Sequence, residues 1–268
     1  MTQAHFIDPH RLVQPWRGSD QQHRCKFQCQ YCFAADPDYL GTAASRDDYE
    51  AELNSPELDV VMLSNDTELF LNRSEAMQAV QTAVAAGKSL TFATKMILSD
   101  DLLLKLQEFQ HELAKARQVL CVMVSLPCLD SAETLEPNAP SPHARVAHLK
   151  RLRNAGLLPF VGIRPILPGY LVSDEEIEAI IQLTVEDALG YIIGPYWFRT
   201  DIFGVMNHPE CPVTDKTVEW MKGNPTWHVY EDKAREARVS DMIRRLGGTI
   251  YERSSEAVRA IRRDQWGE

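Results

Sequence analysis

The sequence predicts an α/β protein built on one mainly parallel sheet that curls into a full or partial barrel, followed by a short mixed C-terminal extension. Three observations carry this. Short apolar, β-branched runs alternate with helix-length amphipathic segments, the signature of βαβ units. The length of 268 residues suits one large α/β domain or two small ones. The alternation stops after Gly194, which divides the chain into residues 1–195 and an extension, 196–268.

In order, Asp59 to Ser64 reads as a strand and Glu75 to Ala86 as a helix. Ser89 to Thr94 reads as a strand and about Asp100 to Ala116 as a helix. Gln118 to Leu126 is the next strand, and His143 to Asn154 a helix stopped by Gly156 as a C-terminal cap. Pro159 to Arg164 is a strand, Asp174 to Glu186 a helix, and Leu189 to Ile193 the fifth clear strand. A sixth is expected near the cysteine-rich loop. Pro195 to Pro225 reads as loop, carrying Pro209, Pro212, Gly223 and Pro225. A helix at about Lys233 to Leu246, a short strand at Thr249 to Glu252 and a last helix at about Ser255 to Arg263 complete the chain.

Composition narrows the function classes. Apolar residues make up 44% and charged residues 25%, as in an ordinary globular protein. The net charge of −10 argues against a large nucleic-acid footprint. Residues 233–263 are locally basic, with nine Lys/Arg against four Asp/Glu. That pattern reads first as a solvated helix face packed on the barrel, with a phosphate or nucleic-acid patch as the alternative. No run of about 18 apolar residues predicts a membrane span. The N-terminus lacks the apolar core of a signal peptide, so a cytoplasmic location with reduced thiols is expected.

Three of the six cysteines fall within eight residues: Cys25, Cys29 and Cys32, spaced C-x₃-C-x₂-C. Such a cluster is a metal-ligand pattern, not a disulfide framework. Three thiolates on one loop can ligate three irons of a cubane and leave the fourth open for chemistry, whereas four would close it. The rival is a Cys₃His zinc site using His23 or a distant residue, which would make the chain a binding protein without catalysis. No second cysteine cluster exists, which argues against auxiliary iron–sulfur clusters.

This spacing, with Tyr31 before the last cysteine, resembles the radical S-adenosylmethionine superfamily. Further segments resemble its spore photoproduct lyase-like branch, often called DNA repair photolyase-like. They are Asp8-Pro9, Ser64-Asn65-Asp66-Thr67-Glu68, Ala93-Thr94-Lys95, Val124-Ser125, Leu135-Glu136-Pro137 with Arg145, and Arg164-Pro165-Ile166-Leu167-Pro168-Gly169. The resemblance covers roughly residues 5 to 195. It implies a partial (β/α)₆ TIM-like barrel with a [4Fe–4S] cluster on Cys25, Cys29 and Cys32 at its C-terminal mouth, where barrel chemistry sits.

By the same resemblance, S-adenosylmethionine is cleaved to a 5′-deoxyadenosyl radical that abstracts hydrogen from a small-molecule substrate, with an electron donor such as flavodoxin or ferredoxin as partner. Lys95 would meet the carboxylate of S-adenosylmethionine, and Ser64, Asn65, Asp66 and Glu68 would lie near its amino group. Ser125 would face the ribose, Tyr31 and Ile193 the adenine, and Arg164 would complete the cofactor side. Glu136 and Arg145 read as an ion pair holding a loop. A nucleotide or nucleic-acid lesion lyase is the alternative. The branch's hydrogen-donating cysteine has no counterpart in Ser64 to Glu68, which speaks against thymine-dimer repair. Candidate donors elsewhere are Cys128, past Ser125 at the expected mouth, and Cys211, in the loop-rich stretch. Cys121 would lie deeper, as packing. Tyr170, Tyr196, Trp197 and Arg199 follow strand ends and are candidates for the cavity wall.

Overall fold

In the computed structural model, the residues described are 10–13, 25–35, 53–56, 58–63, 67–217 and 226–267. Seven strands form one parallel sheet in the order β1-β2-β3-β4-β5-β6-β10, curled into a half-barrel. They are β1 (His10–Val13), β2 (Val60–Leu63), β3 (Ser89–Thr94), β4 (Leu120–Ser125), β5 (Leu158–Ile163), β6 (Tyr191–Ile193) and β10 (Ile250–Tyr251). Helices α1 (Arg73–Ala85), α2 (Asp100–Lys115), α4 (Pro142–Asn154) and α5 (Asp174–Thr184) connect successive strands, with the short α3 (Ala132–Leu135) before α4. The expected sixth strand is β1, at the sheet edge beside β2. The sheet runs open from β1 to β10, a partial barrel.

The local grammar explains the elements. The four middle strands are buried along nearly their whole length, which is why they read as continuous apolar runs rather than alternating ones. Asn72, Ser141 and Ser173 accept backbone N–H groups at the starts of α1, α4 and α5. Gly156, at φ +71°, takes the left-handed turn that ends α4, as its position after the periodic segment predicts.

Two features depart from the sequence expectation. The stretch from Pro195 to Pro225, read as loop, contributes β7 (Tyr196–Phe198) and β8 (Val213–Thr217), which pair antiparallel with β9 (Thr226–Tyr230) in the order β7-β9-β8. Val213-Thr214-Asp215-Lys216-Thr217 is polar and largely exposed, so it shows no apolar run and its strand state comes from pairing. The extension also enters the main sheet, because β10 pairs parallel with β6.

The two sheet faces are buried differently. Outward residues such as Val61, Leu90, Phe92, Val122 and Val161 pack with the connecting helices. Inward residues Val60, Met62, Cys121, Met123, Leu158, Phe160 and Ile192 pack with Ala257, Val258 and Ile261 of the last helix, α7 (Ser254–Trp266). The C-terminal helix thus covers the inner face near the N-terminal ends of the strands, and Cys121 is packing there, as expected.

The basic tail is matched by acidic partners. Arg238 and Arg235 of α6 (Lys233–Arg245) reach Asp174 at 3.0 and 3.1 Å. Arg245 reaches Glu178 at 2.8 Å, and Arg259 of α7 reaches Asp59 at 2.8 Å. These arginines clamp the extension to α5 and β2, the packed-face reading of the pattern. Among the described residues, no helix is long and apolar enough to cross a membrane.

His148, on α4, holds the loop after β3 by accepting the Leu98 N–H at Nε2, 3.2 Å away. Burial, with Arg151 beside it, lowers its pKa from 6.5 to about 4, so it stays neutral and keeps its lone pair for that bond. The folded pKa lies below the unfolded one. Its stabilising contribution is therefore complete above pH about 6.5 and is lost as pH falls toward 4. A melting-temperature series across that window is expected to decline toward acid, and His148→Gln to remove part of the slope. An unchanged slope in the variant would exclude His148 as its source.

Candidate functional site

The carboxyl ends of the strands surround a cavity of about 1060 Å³, a volume that includes open solvent. Its floor is made of small or flexible inward residues, Ala93, Met123 and Gly162. A Cβ on Gly162 would stand 3.0 Å from the Met123 sulfur, so the floor is close-packed. Thr94 and Lys95 enter from the end of β3, Ser125 from β4, Arg164 and Pro165 from β5, and Pro195, Tyr196 and Trp197 from the β6–β7 corner.

The cysteine loop lies across this mouth. Cys25, Cys29 and Cys32 all line the cavity, with Phe27, Tyr31 and Phe33 between and beside them. Tight local bonds shape the loop: Cys32 N–H to Cys29 O at 3.0 Å and Ala35 N–H to Cys32 O at 3.0 Å. Gln28 takes a left-handed φ of +51°, and its side-chain oxygen accepts from Asn138 at 3.3 Å. Gln30 N–H donates to Leu135 O at 2.9 Å. Burial raises all three thiol pKa values, Cys32 to about 11, and Cys29 raises those of Cys25 and Cys32 further.

Beneath the loop sits a buried ionic network. Glu136 accepts from the Tyr31 hydroxyl through Oε1 and from the Arg145 guanidinium through Oε2. Lys95 Nζ stands 3.6 Å from Glu136 Oε1 and donates to Ser125 Oγ at 2.7 Å. Arg145 also donates to the Ser125 carbonyl at 2.6 Å. Burial by itself would raise the Glu136 pKa, but Lys95 and Arg145 hold it below the usual carboxylate range. Burial likewise works against the Lys95 ammonium, yet Glu136 and Cys29 outweigh it and its pKa lies above the ordinary lysine value. Glu68, pushed upward by burial, accepts from Thr94 Oγ1 at 2.7 Å and from the Lys95 backbone N–H at 2.8 Å.

The structure therefore gathers Cys25, Cys29, Cys32, Tyr31, Glu68, Lys95, Ser125 and Arg164 around one cavity. Ser64, Asn65 and Asp66 lie outside the described residues, as do Asp8-Pro9 and His23. Ile193 lies on β6, half-buried, outside the lining, while Pro195 lines it. The two thiols proposed as hydrogen donors do not line it either. Cys128 is wholly buried in the apolar core, and Cys211 is half-buried near Tyr170, Tyr230 and Asp232. Of the proposed wall residues, Tyr196 and Trp197 line it; Arg199 lines an adjoining pocket with Phe198 and Trp227, and Tyr170 stacks on His208. Sequence reasoning did not single out Phe27 and Phe33, whose only signal was adjacency to the cysteines, nor Pro195; Thr67, within the Ser64 to Glu68 segment it did single out, lines the cavity.

The donor set suits an iron–sulfur group, since soft thiolates on one loop are its usual ligands. Among the described residues, no group of three or more His, Cys, Asp or Glu is placed to hold a single metal ion. A cluster makes no such demand, because each thiolate meets a different iron.

Breaking the ionic network is expected to be costly, because Arg145 and Glu136 are 0% and 1% exposed. Glu136→Ala leaves the Arg145 charge buried without its partner and should cost about 3–5 kcal/mol, read as a lower urea midpoint. Lys95→Met, at the cavity wall, should cost distinctly less. Equal losses would mean that the network is not organised around Glu136.

No family model matches the chain, and no curated protein matches it. Solved structures do. A spore photoproduct lyase variant superposes with a TM-score of 0.57 at 16% identity, covering 85% of this chain and 74% of that one. A variant of the same lyase with bound AdoMet and dinucleoside spore photoproduct gives 0.52 at 14% identity, covering 79% and 68%. Streptococcus suis SuiB bound to S-adenosylmethionine gives 0.58 at 13% identity, covering 91% of this chain and 50% of that one. At such identities the likeness is one of fold: this chain carries the same partial barrel as two enzymes solved with S-adenosylmethionine bound.

Proposed function

We propose that the chain is a radical S-adenosylmethionine enzyme acting on a small molecule. The observation that carries this reading is the placement of all three cysteines of the C-x₃-C-x₂-C loop on the wall of one cavity at the carboxyl ends of a parallel half-barrel. The sequence resemblance and the fold likeness support it.

In this reading Cys25, Cys29 and Cys32 hold a [4Fe–4S] cluster, and Lys95, Glu68, Ser125 and Tyr31 form the cofactor side of the cavity. The chemistry that a reduced cluster would supply there is one-electron cleavage of a sulfonium carbon–sulfur bond of S-adenosylmethionine, which would allow hydrogen abstraction from the substrate. The chain's own residues do the rest. Lys95 presents a fixed positive charge, held in place by Glu136 and Ser125. Glu68 ties the backbone at Lys95 to the wall. Phe27, Phe33, Tyr196 and Trp197 give apolar surface that keeps water from a reactive intermediate. Cys128 and Cys211, lying off the cavity, have no part in this arrangement. The lesion-lyase alternative gains no basic groove from the tail, whose Arg235, Arg238, Arg245 and Arg259 are matched by Asp174, Glu178 and Asp59.

The test is anaerobic reconstitution with iron and sulfide, then dithionite and S-adenosylmethionine, with chromatography for 5′-deoxyadenosine. Slow formation is expected, and Cys25→Ala, Cys29→Ala and Cys32→Ala should each abolish it. A colourless protein that binds zinc and leaves S-adenosylmethionine intact would overturn the reading.

A further inference from the structure

The cavity contains one charge that nothing among the described residues answers. Glu68 is bonded to Thr94 and the Lys95 backbone. Lys95 is bonded to Ser125 and faces Glu136. Arg164 lines the same cavity, its surface open to it, and has no hydrogen-bond or ion-pair partner among the described residues. The surrounding wall lowers its pKa by desolvation, while the side chain keeps solvent-exposed surface. Its guanidinium lies across Gly194, where an added Cβ would come within 2.8 Å of Nε. The absence of a side chain at Gly194 thus makes the space that Arg164 occupies.

Arg164 keeps solvent-exposed surface in the cavity and has no charged partner among the described residues, so an anion can replace the water around its guanidinium. Its planar fork matches a carboxylate or phosphate with two parallel hydrogen bonds. Lys95 has three donors, and with Ser125 and Glu136 engaged one is left to face the cavity. In the reading given above Lys95 meets the carboxylate of S-adenosylmethionine, which leaves Arg164 available to a second anion. We propose that Arg164 is the receptor for an oxyanion of the substrate, which is therefore a small molecule carrying a carboxylate or a phosphate. This rests on the reading of the cavity given above, and it moves Arg164 from the cofactor side, where the sequence resemblance put it, to the substrate side. The apolar neighbours Pro165, Pro195, Tyr196 and Trp197 keep that contact in a low-dielectric setting, where a charged hydrogen bond is stronger.

The experiment is site-resolved arginine modification of the reconstituted protein with phenylglyoxal, read by peptide mass spectrometry, using inorganic phosphate and acetate as probes. With S-adenosylmethionine saturating, either anion at tens of millimolar is expected to slow modification of Arg164 several-fold. Arg153, exposed on α4, should be unaffected. In Gly194→Ala, whose new Cβ displaces the guanidinium, anion protection of Arg164 should disappear while modification itself continues. Full protection by S-adenosylmethionine alone, absent with its decarboxylated form, would place the cofactor's carboxylate on Arg164 and overturn the assignment. Failure of both anions to protect in the unaltered protein would overturn it as well. Protection by phosphate in a protein that takes up neither cluster nor S-adenosylmethionine would uphold the anion site and sink the function it was derived from.

Discussion

The buried pair of Arg145 and Glu136 is the contact on which the candidate site depends. Its two members come from α4 and from the residue after α3, and between them they touch three other parts of the chain. Arg145 reaches the last carbonyl of β4, Glu136 receives Tyr31 from the cysteine loop, and Lys95 leans in from the end of β3. A loop with its own short turns but little regular structure is thereby tied to two strand ends. An ion pair taken out of water gains little net stability by itself, because desolvation opposes the Coulomb attraction. Its consequence is geometric: Tyr31, Lys95 and Ser125 each have one place where their polar atoms are satisfied, and that place is the cavity wall.

The shape of the cavity follows from unequal filling of the half-barrel. Near the N-terminal ends of the strands, inward side chains pack against Val258 and Ile261 of α7. Nearer the carboxyl ends the inward positions are Ala93, Met123 and Gly162, which leave room. The last helix therefore does for one half of the barrel what a ligand would have to do for the other. The arginines that hold this extension down are answered by Asp59, Asp174 and Glu178, so a chain with a net charge of −10 still keeps its basic tail for internal use.

Several parts of this arrangement were legible in the residues. The alternation of apolar runs and amphipathic segments located β2 to β6 and the main helices between them to within a few residues, because period and capping are local properties. Cys121 was expected as packing below Ser125, which the alternation of a strand dictates. The C-x₃-C-x₂-C spacing marked the loop that lies across the mouth. The polar strand β8 and the partners of β9 were not legible, since their pairing is satisfied across the antiparallel sheet and leaves no periodic trace in either segment.

The sequence by itself determined the parallel α/β class, the cysteine loop and the strand-end residues Lys95, Ser125 and Arg164, because each is written in short-range pattern. Tertiary structure decided what those residues meet. Cys128 sits in the core and Cys211 lies off the cavity because the fold, not their spacing from a strand end, sets where a side chain emerges. Lys95 is engaged and Arg164 is open for the same reason: Glu136 lies 41 positions along the chain from Lys95 and only the folded sheet brings them together, while among the described residues no carboxylate is brought to Arg164. Charge pairing is a property of proximity in space, and proximity at that separation is what folding alone supplies.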